Sequence, residues 1–452
     1  MVQNRSSFIK DYFKNWDASA FVLWYFLLGA LSFNSLTAGR PLMTGLIAFT
    51  LAYATVRAVF SVIRFRAARP IPMLACFIAF FVSYGISTFV NRSYGITENL
   101  QALVWLFLCL FLVYPAAFYE KTSGAFRSRP LSRIFTDAVL GYTGLQAVIS
   151  FALLIADYNW FRPTNIYLGF WYGRLWGTYT DPNYGAILSA ASIIIALMYV
   201  MRRLTGPRGR ILLALHILIQ YLYIVFSYSR GCFIIMAVSL LLFYLYWSFA
   251  HRHTLKKRLV MGVLLLALAL SAYPVRMGYN KIVDSLNASG SEFEHLSREE
   301  ASLELELTAG RVAIWKNGFD LMKREPLFGV SFRNMLPYMQ DQMPDCYMAT
   351  HDEPLAACHN MVVDIAASQG ITGLIILTFA VVLIASRSLR GWKSLTRERR
   401  DLAMTYGLPA VTILGGAMFL SDVFYINSPT TVTFWFCLGK WMAEITDQKA
   451  SS

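Results

Sequence analysis

His359 and Asn360 open a long apolar stretch, HNMVVDIAASQGITG, with Asp364 about one turn in and Gly370 and Gly373 beyond it. At a helix start the dipole and the free N–H groups work against an imidazolium, so His359 should stay neutral and able to accept a proton. Asn360 and Asp364 lie four apart and share a helix face, and Gly370 and Gly373 should let another helix approach closely. Three further segments carry isolated polar chemistry: RLWGTYTDPNYGA (Arg174 to Ala186), SYSRG (Ser227 to Gly231) and AGRVAIW (Ala309 to Trp315). Arg230 falls in a tight turn between two apolar runs, where it serves either as an anchor on lipid phosphate or as a functional cation. Beside Arg174, Gly177 and Pro182 shape a turn and Asn183 can cap the helix that follows. His351, Asp352, Glu353 and His359 are close in sequence, but their spacing fits no standard zinc pattern, so no metal is expected.

The elements that must hold these residues follow from composition. Of 452 residues, 57% are hydrophobic and only 15% charged, which excludes an ordinary soluble globular domain. Twelve apolar runs are readable, at about 19–36, 41–63, 71–90, 98–118, 134–156, 183–200, 211–227, 231–250, 259–274, 360–386, 404–420 and 429–444. The reading is an all-α, polytopic integral membrane protein with about 12 transmembrane helices, forming a single transmembrane domain over 1–452.

A net charge of +14 raises nucleic acid as a partner, but the basic residues gather in alternate loops, among them Arg202, Arg203, Arg208 and Arg210, and later Arg387 to Arg400. That is the positive-inside pattern, which puts both termini in the cytoplasm and argues against nucleic acid. No cleavable signal peptide is evident. The segment 273–358 then lies outside as one large helical loop between the ninth and tenth runs. It holds eight Lys/Arg against thirteen Asp/Glu, so its arginines read as individually placed. Within it Ser297 and Glu300 suggest a capping box, and Gly310 can split the helix that runs to Pro326. Its apolar stripe, Val312, Trp315, Phe319 and Met322, should lie on the bundle or at the membrane surface. Cys346 and Cys358, both outside, could form a disulfide.

An Arg-bearing turn between short-looped spans, a Gly-Arg in a long external loop, then His-Asn, nine residues, Gly, two residues, Gly: this order resembles the O-antigen ligase family, which shares a superfamily with the O-antigen polymerases. The resemblance covers most of the chain and implies a GT-C-like glycosyltransferase architecture in the bacterial inner membrane, with its active site facing the periplasm. It implies transfer of a glycan from undecaprenyl pyrophosphate to a sugar of the lipid A-core, without metal or other cofactor and with inversion. By that resemblance His359 is the catalytic base, and Arg230 and Arg311, with Arg174 and Asn360, bind substrate. Arginine suits a diphosphate because its planar fork meets two phosphate oxygens and stays charged. An O-antigen polymerase would use similar arginines. A transporter, with Arg57, Asp137 and Asp364 along its pathway, is the alternative of another class.

Overall fold

The computed structural model describes residues 5–65, 73–120, 130–162, 166–251, 253–288, 310–350 and 356–446. Each of the twelve apolar runs coincides with a helix: α1 (Arg5–Ser32), α2 (Pro41–Phe65), α3 (Leu74–Val90), α4 (Thr97–Phe118), α5 (Leu131–Ile155), α6 (Pro182–Met201), α7 (Pro207–Ser227), α8 (Arg230–Ala250) and α9 (Leu255–Ala288), then, beyond the external segment, α12 (Met361–Ser394), α13 (Arg397–Gly416) and α14 (Pro429–Thr446). Between these groups lie α10 (Arg311–Arg324) and α11 (Met335–Gln342). Among the described residues, eight helices are long and apolar enough to cross a membrane: α2, α4 to α9 and α12.

Composition sorts them into layers. Pro182 and Asp181 start α6, which is apolar all round and enclosed over 78% of its span. A helix without a polar face belongs in the interior. The other extreme is α9, enclosed over only 6% and presenting Val263, Leu264 and Leu266 outward, as a lipid-facing helix should. With α6 in the interior lies α14, which buries Lys440 between Glu120 and Glu444, both at 2.9 Å. A charge so enclosed is tolerable because it is paired twice.

Four expectations are corrected. The chain is not purely α: Trp160–Arg162 (β1), Ile166–Trp171 (β2) and Arg174–Gly177 (β3) form an antiparallel sheet in the order β1-β2-β3. Helix α9 continues past 274, through Pro274, to Ala288, so the external segment begins within a helix. Of the two places expected for the stripe, the bundle falls away and the membrane surface stays open: Val312 and Phe319 are exposed, while α10 buries its other face, Ile314, Asn317, Gly318 and Leu321. Finally, Cys346 and Cys358 are free thiols, the Cys358 Sγ facing the Met335 Sδ at 4.0 Å. The capping-box residues Ser297 and Glu300 fall outside the described residues.

Gly370 also does something other than seat a helix. It adopts φ +61, ψ −153, which breaks α12, and the segment after α10 fills the gap. The Val330 and Ser331 amides donate to the carbonyls of Ala367 (2.9 Å) and Ser368 (3.0 Å). Beyond the break, the Ile371 and Thr372 amides donate to those of Pro326 (2.8 Å) and Leu327 (3.3 Å). A Cβ on Gly370 would stand 2.4 Å from the Pro326 oxygen, so glycine is required for both its φ and the close approach. The broken helix thereby satisfies its exposed backbone groups with a strap of external chain instead of water. At Gly373 the atoms nearest to an added Cβ are those of Gln369 and Ile365 on α12 itself.

Candidate active site

Helix α12 starts where it does because Asn360, in extended backbone, caps it. Its Oδ1 accepts from the amides of Val362 (2.9 Å) and Val363 (3.2 Å), while its Nδ2 donates to the Met418 carbonyl (3.1 Å). The Met361 amide donates to the Ala417 carbonyl at 2.8 Å. The turn between α13 and α14 thus holds the α12 N-terminus from outside. His359, one residue earlier, sits in the left-handed region at φ +50, with its amide donating to the Ser421 hydroxyl at 3.0 Å. Such a backbone costs a non-glycine residue about 1–2 kcal/mol, so the neighbours must impose it.

Asp364 supplies much of that constraint. Its Oδ1 reaches back to accept the Cys358 amide at 2.7 Å, pinning the residue before His359 to the first turn of α12, and the same carboxyl also meets the Asn360 backbone and the Ser421 hydroxyl. The turn is therefore held on both sides of the imidazole, by Asp364 before it and Ser421 at it.

Arg311 is the first residue of α10, introduced by Gly310 at φ +68. Its guanidinium lies 5.5 Å from the centre of the Phe419 ring, on the same α13–α14 turn that supplies Met418 and Ser421. Helix α10 packs directly on α12: a Cβ at Gly318 would be 2.4 Å from Val363 Cγ1 and 2.8 Å from Cys358 Sγ. Arg311 and His359 thus stand on two helices in contact and act on each other electrically. Burial chiefly, and then the positive charge of Arg311, hold the imidazole below its usual pKa, with the Asp181 carboxylate opposing them. Burial likewise lowers Arg311, and Asp181 again opposes. The histidine is thus neutral at ordinary pH, chiefly through burial, where the helix-start argument alone had predicted neutrality.

The opposite wall comes from α6 to α8. Asp181, not Asn183, is the N-cap of α6, accepting the Asn183 amide at 2.7 Å. The Asn183 Oδ1 is turned instead toward Arg174, which donates to it from Nη2 (2.7 Å) and to the Ser227 carbonyl from Nε (2.9 Å). Arg174 therefore braces the start of α6 against the end of α7. Tyr228 follows in left-handed backbone, and Arg230 begins α8 with its guanidinium 5.6 Å from the Tyr228 ring centre. The same ring takes Arg276 at 4.7 Å, an arginine buried to 3% exposure. Between the walls runs a narrow cleft lined by Asn183, Ser229, Gly231, Arg311 and Phe419.

The structure thus brings Arg311 and His359 together with Asp181, sets Asn360 beneath them as a cap, and sets Arg174 and Arg230 on the facing wall. Sequence reasoning missed Ser421, Phe419 and Tyr184, whose hydroxyl donates to the Ser421 carbonyl at 3.0 Å. Phe419 lay inside a run assigned to a span, so nothing marked it. Arg276 carried a signal, as a lone cation in an acidic segment, but no role. His351, Asp352 and Glu353 lie outside the described residues, and no metal-holding cluster occurs among the described ones.

Comparison with curated proteins finds no match. The family model described as O-antigen ligase matches residues 213–378. That stretch contains Arg230, Arg311, His359, Gly370 and Gly373, and therefore the break of α12, though not Arg174. The chain is a multi-pass membrane protein whose residues 213–378 carry the O-antigen ligase family domain, within the superfamily that unites O-antigen ligases and polymerases.

Proposed function

We propose that the protein is an O-antigen ligase, joining an O-antigen glycan carried on undecaprenyl pyrophosphate to a sugar of the lipid A-core at the periplasmic face of the inner membrane. The observation that carries this reading is the electrostatic coupling of a neutral His359 to the partly buried Arg311 that lines the cleft, inside the stretch matched by the family.

The chemistry then assigns itself to these residues. The acceptor hydroxyl oxygen attacks the anomeric carbon from the face opposite the diphosphate, and its proton passes to the neutral His359 imidazole. Such general-base help is typically worth about 10²- to 10⁴-fold. The bond from anomeric carbon to diphosphate oxygen breaks with its electron pair on the leaving diphosphate, so one displacement inverts the sugar centre. Arg311 and Arg230 hold that diphosphate, whose negative charge grows as it leaves, and cations fixed in a dry cleft favour the charged state most. Arg174 adds charge and keeps the facing wall in place through Asn183 and Ser227. Asn360 fixes the helix start on which His359 stands. No metal, nucleotide or other cofactor is needed, because the diphosphate is already a good leaving group.

The polymerase reading differs only in the acceptor. Purified protein given carrier-linked glycan with either rough lipopolysaccharide or a second carrier-linked glycan separates the two. The ligase reading requires product on the lipid A-core and its loss in His359→Ala with the fold retained. Product on the carrier-linked acceptor alone makes the protein a polymerase. The transporter reading has less support, since Asp137 is paired with Arg133 at 3.1 Å and Asp364 is occupied at the His359 turn.

A further inference from the structure

The small sheet presents two unlike faces. Leu168 and Phe170 of β2 and Leu175 of β3 turn toward the bundle, where Phe170 and Leu175 join Ala147, Tyr179 and Tyr223 in a buried cluster. Alternation then sends Phe161, Tyr167, Trp171 and Trp176 to the other side. Their rings form one continuous surface: Phe161 on Trp171 at 5.7 Å between centres, Trp171 on Tyr167 at 5.7 Å, Tyr167 on Trp176 at 4.8 Å. Tyr172, in the β2–β3 turn, adds a fifth ring, its hydroxyl 3.3 Å from that of Tyr167. Phe161 and Tyr172 are 56% and 59% exposed, so the surface is open.

This face is continuous with the cleft. Trp171 is the register partner of Arg174, and Arg174 donates to Asn183 on the cleft wall. It also differs in kind from the lipid-facing surface of the bundle. There the exposed side chains are mostly aliphatic, such as Ile211, Leu212, Leu215 and Leu218 on α7, with single phenylalanines such as Phe89 and Phe379 among them, whereas here they are contiguous flat rings, two of them bearing hydroxyls. Rigid aromatic faces with a polar edge suit a ligand that is itself apolar on its ring faces and hydroxylated at its rim, which describes a sugar.

We propose that the outer face of the β1-β2-β3 sheet is a glycan-binding platform that stacks the donor sugars nearest the diphosphate on Phe161, Tyr167, Trp171, Tyr172 and Trp176. The proposal rests on the donor reading above: a diphosphate held beside Arg174 sends its first sugars out across this sheet. The platform orients the chain and relieves the cleft of gripping more than the diphosphate and the reacting sugar.

The test uses the full-length protein in nanodiscs and, as probe, the oligosaccharide released by mild acid from the undecaprenyl pyrophosphate of the expressing cells, labelled fluorescently at its reducing end. Binding is followed by anisotropy, which needs no turnover. Saturable binding to the wild type and to His359→Ala is expected, with each ring removed, in Phe161→Ala and in Tyr172→Asn, weakening it by about three- to ten-fold. Both side chains are largely exposed, and unchanged thermal unfolding in these variants verifies the fold. Equal binding by the double variant, or none by the wild type, overturns the platform. The lipid alternative is read in nanodiscs of brominated phosphatidylglycerol: quenching of the fluorescence that disappears in Trp171→Phe means the face is sunk in the membrane and also overturns it. Ring-dependent binding without any transfer product keeps the platform and removes the ligase reading. Transfer with unaltered KM in the double variant does the reverse.

Discussion

Asp364→Ala is the most informative single change, because it acts on His359, the base of the proposed reaction, without touching it. The carboxylate accepts the Cys358 amide at 2.7 Å, and that bond holds one side of a turn in which His359 adopts φ +50. Leaving a buried donor without an acceptor costs about 1–3 kcal/mol, comparable to the roughly 1–2 kcal/mol by which a non-glycine residue resists left-handed backbone. With the acceptor gone and the Cys358 amide orphaned, the balance reverses and the turn relaxes. The reacting geometry is then populated about 10- to 100-fold less, and kcat/KM for transfer to rough lipopolysaccharide should fall by that factor. Asp364→Asn keeps an oxygen for the same amide and should stay within about five-fold of wild type. The assay is transfer of labelled glycan from carrier to lipid A-core by protein in nanodiscs, with thermal unfolding alongside to separate site from fold. Wild-type transfer by the alanine variant, or an asparagine variant as damaged as the alanine one, refutes the positioning role.

Because His359 must be neutral to accept a proton and its pKa lies below the ordinary 6.5, transfer should be flat near neutrality and decline on acidification, with a midpoint below 6.5. In a pH–rate series, Arg311→Gln should move that midpoint up and Asp181→Asn should move it down; shifts of the opposite sign exclude His359 as the titrating group. Arg311→Lys keeps the charge but loses the fork, so KM for the carrier-linked donor should rise by about ten-fold or more, measured in the same assay. Gly370→Ala forces a Cβ to 2.4 Å from the Pro326 oxygen at φ +61, and thermal unfolding should show a loss of at least about 2 kcal/mol, whereas Gly373→Ala, with helical backbone and side chains of its own helix as nearest neighbours, should cost less.

How far the site was legible in sequence depends on the range of each interaction. The twelve helices follow from runs of apolar residues, a local signal that lipid enforces. His359, Arg230 and Arg311 were legible because polar residues beside such runs need a reason to be there. The brace from Arg174 to Asn183 was not, and Asn183 was read as the cap that Asp181 provides. Ser421 and Phe419 meet His359 and Arg311 across about 60 and 108 positions of chain, and no local pattern encodes that. The sheet was missed because its strands are three to six residues long and interrupted by Gly169 and Gly173, so their alternation is too short to register. Gly370 was read for its small size, when its backbone freedom was what the fold required.

The strap laid into the break of α12 has a mechanical consequence. Four backbone hydrogen bonds stitch residues 326–331 to both halves of that helix, and Gly318 locks α10 against its first turn. Arg311 and His359 are therefore mounted on one bracket and cannot part without tearing it. Arg174 and Arg230 stand at the mouths of α6 to α8, which meet the same bracket through the α13–α14 turn, where Tyr184 bonds the Ser421 carbonyl and Gly231 faces Phe419.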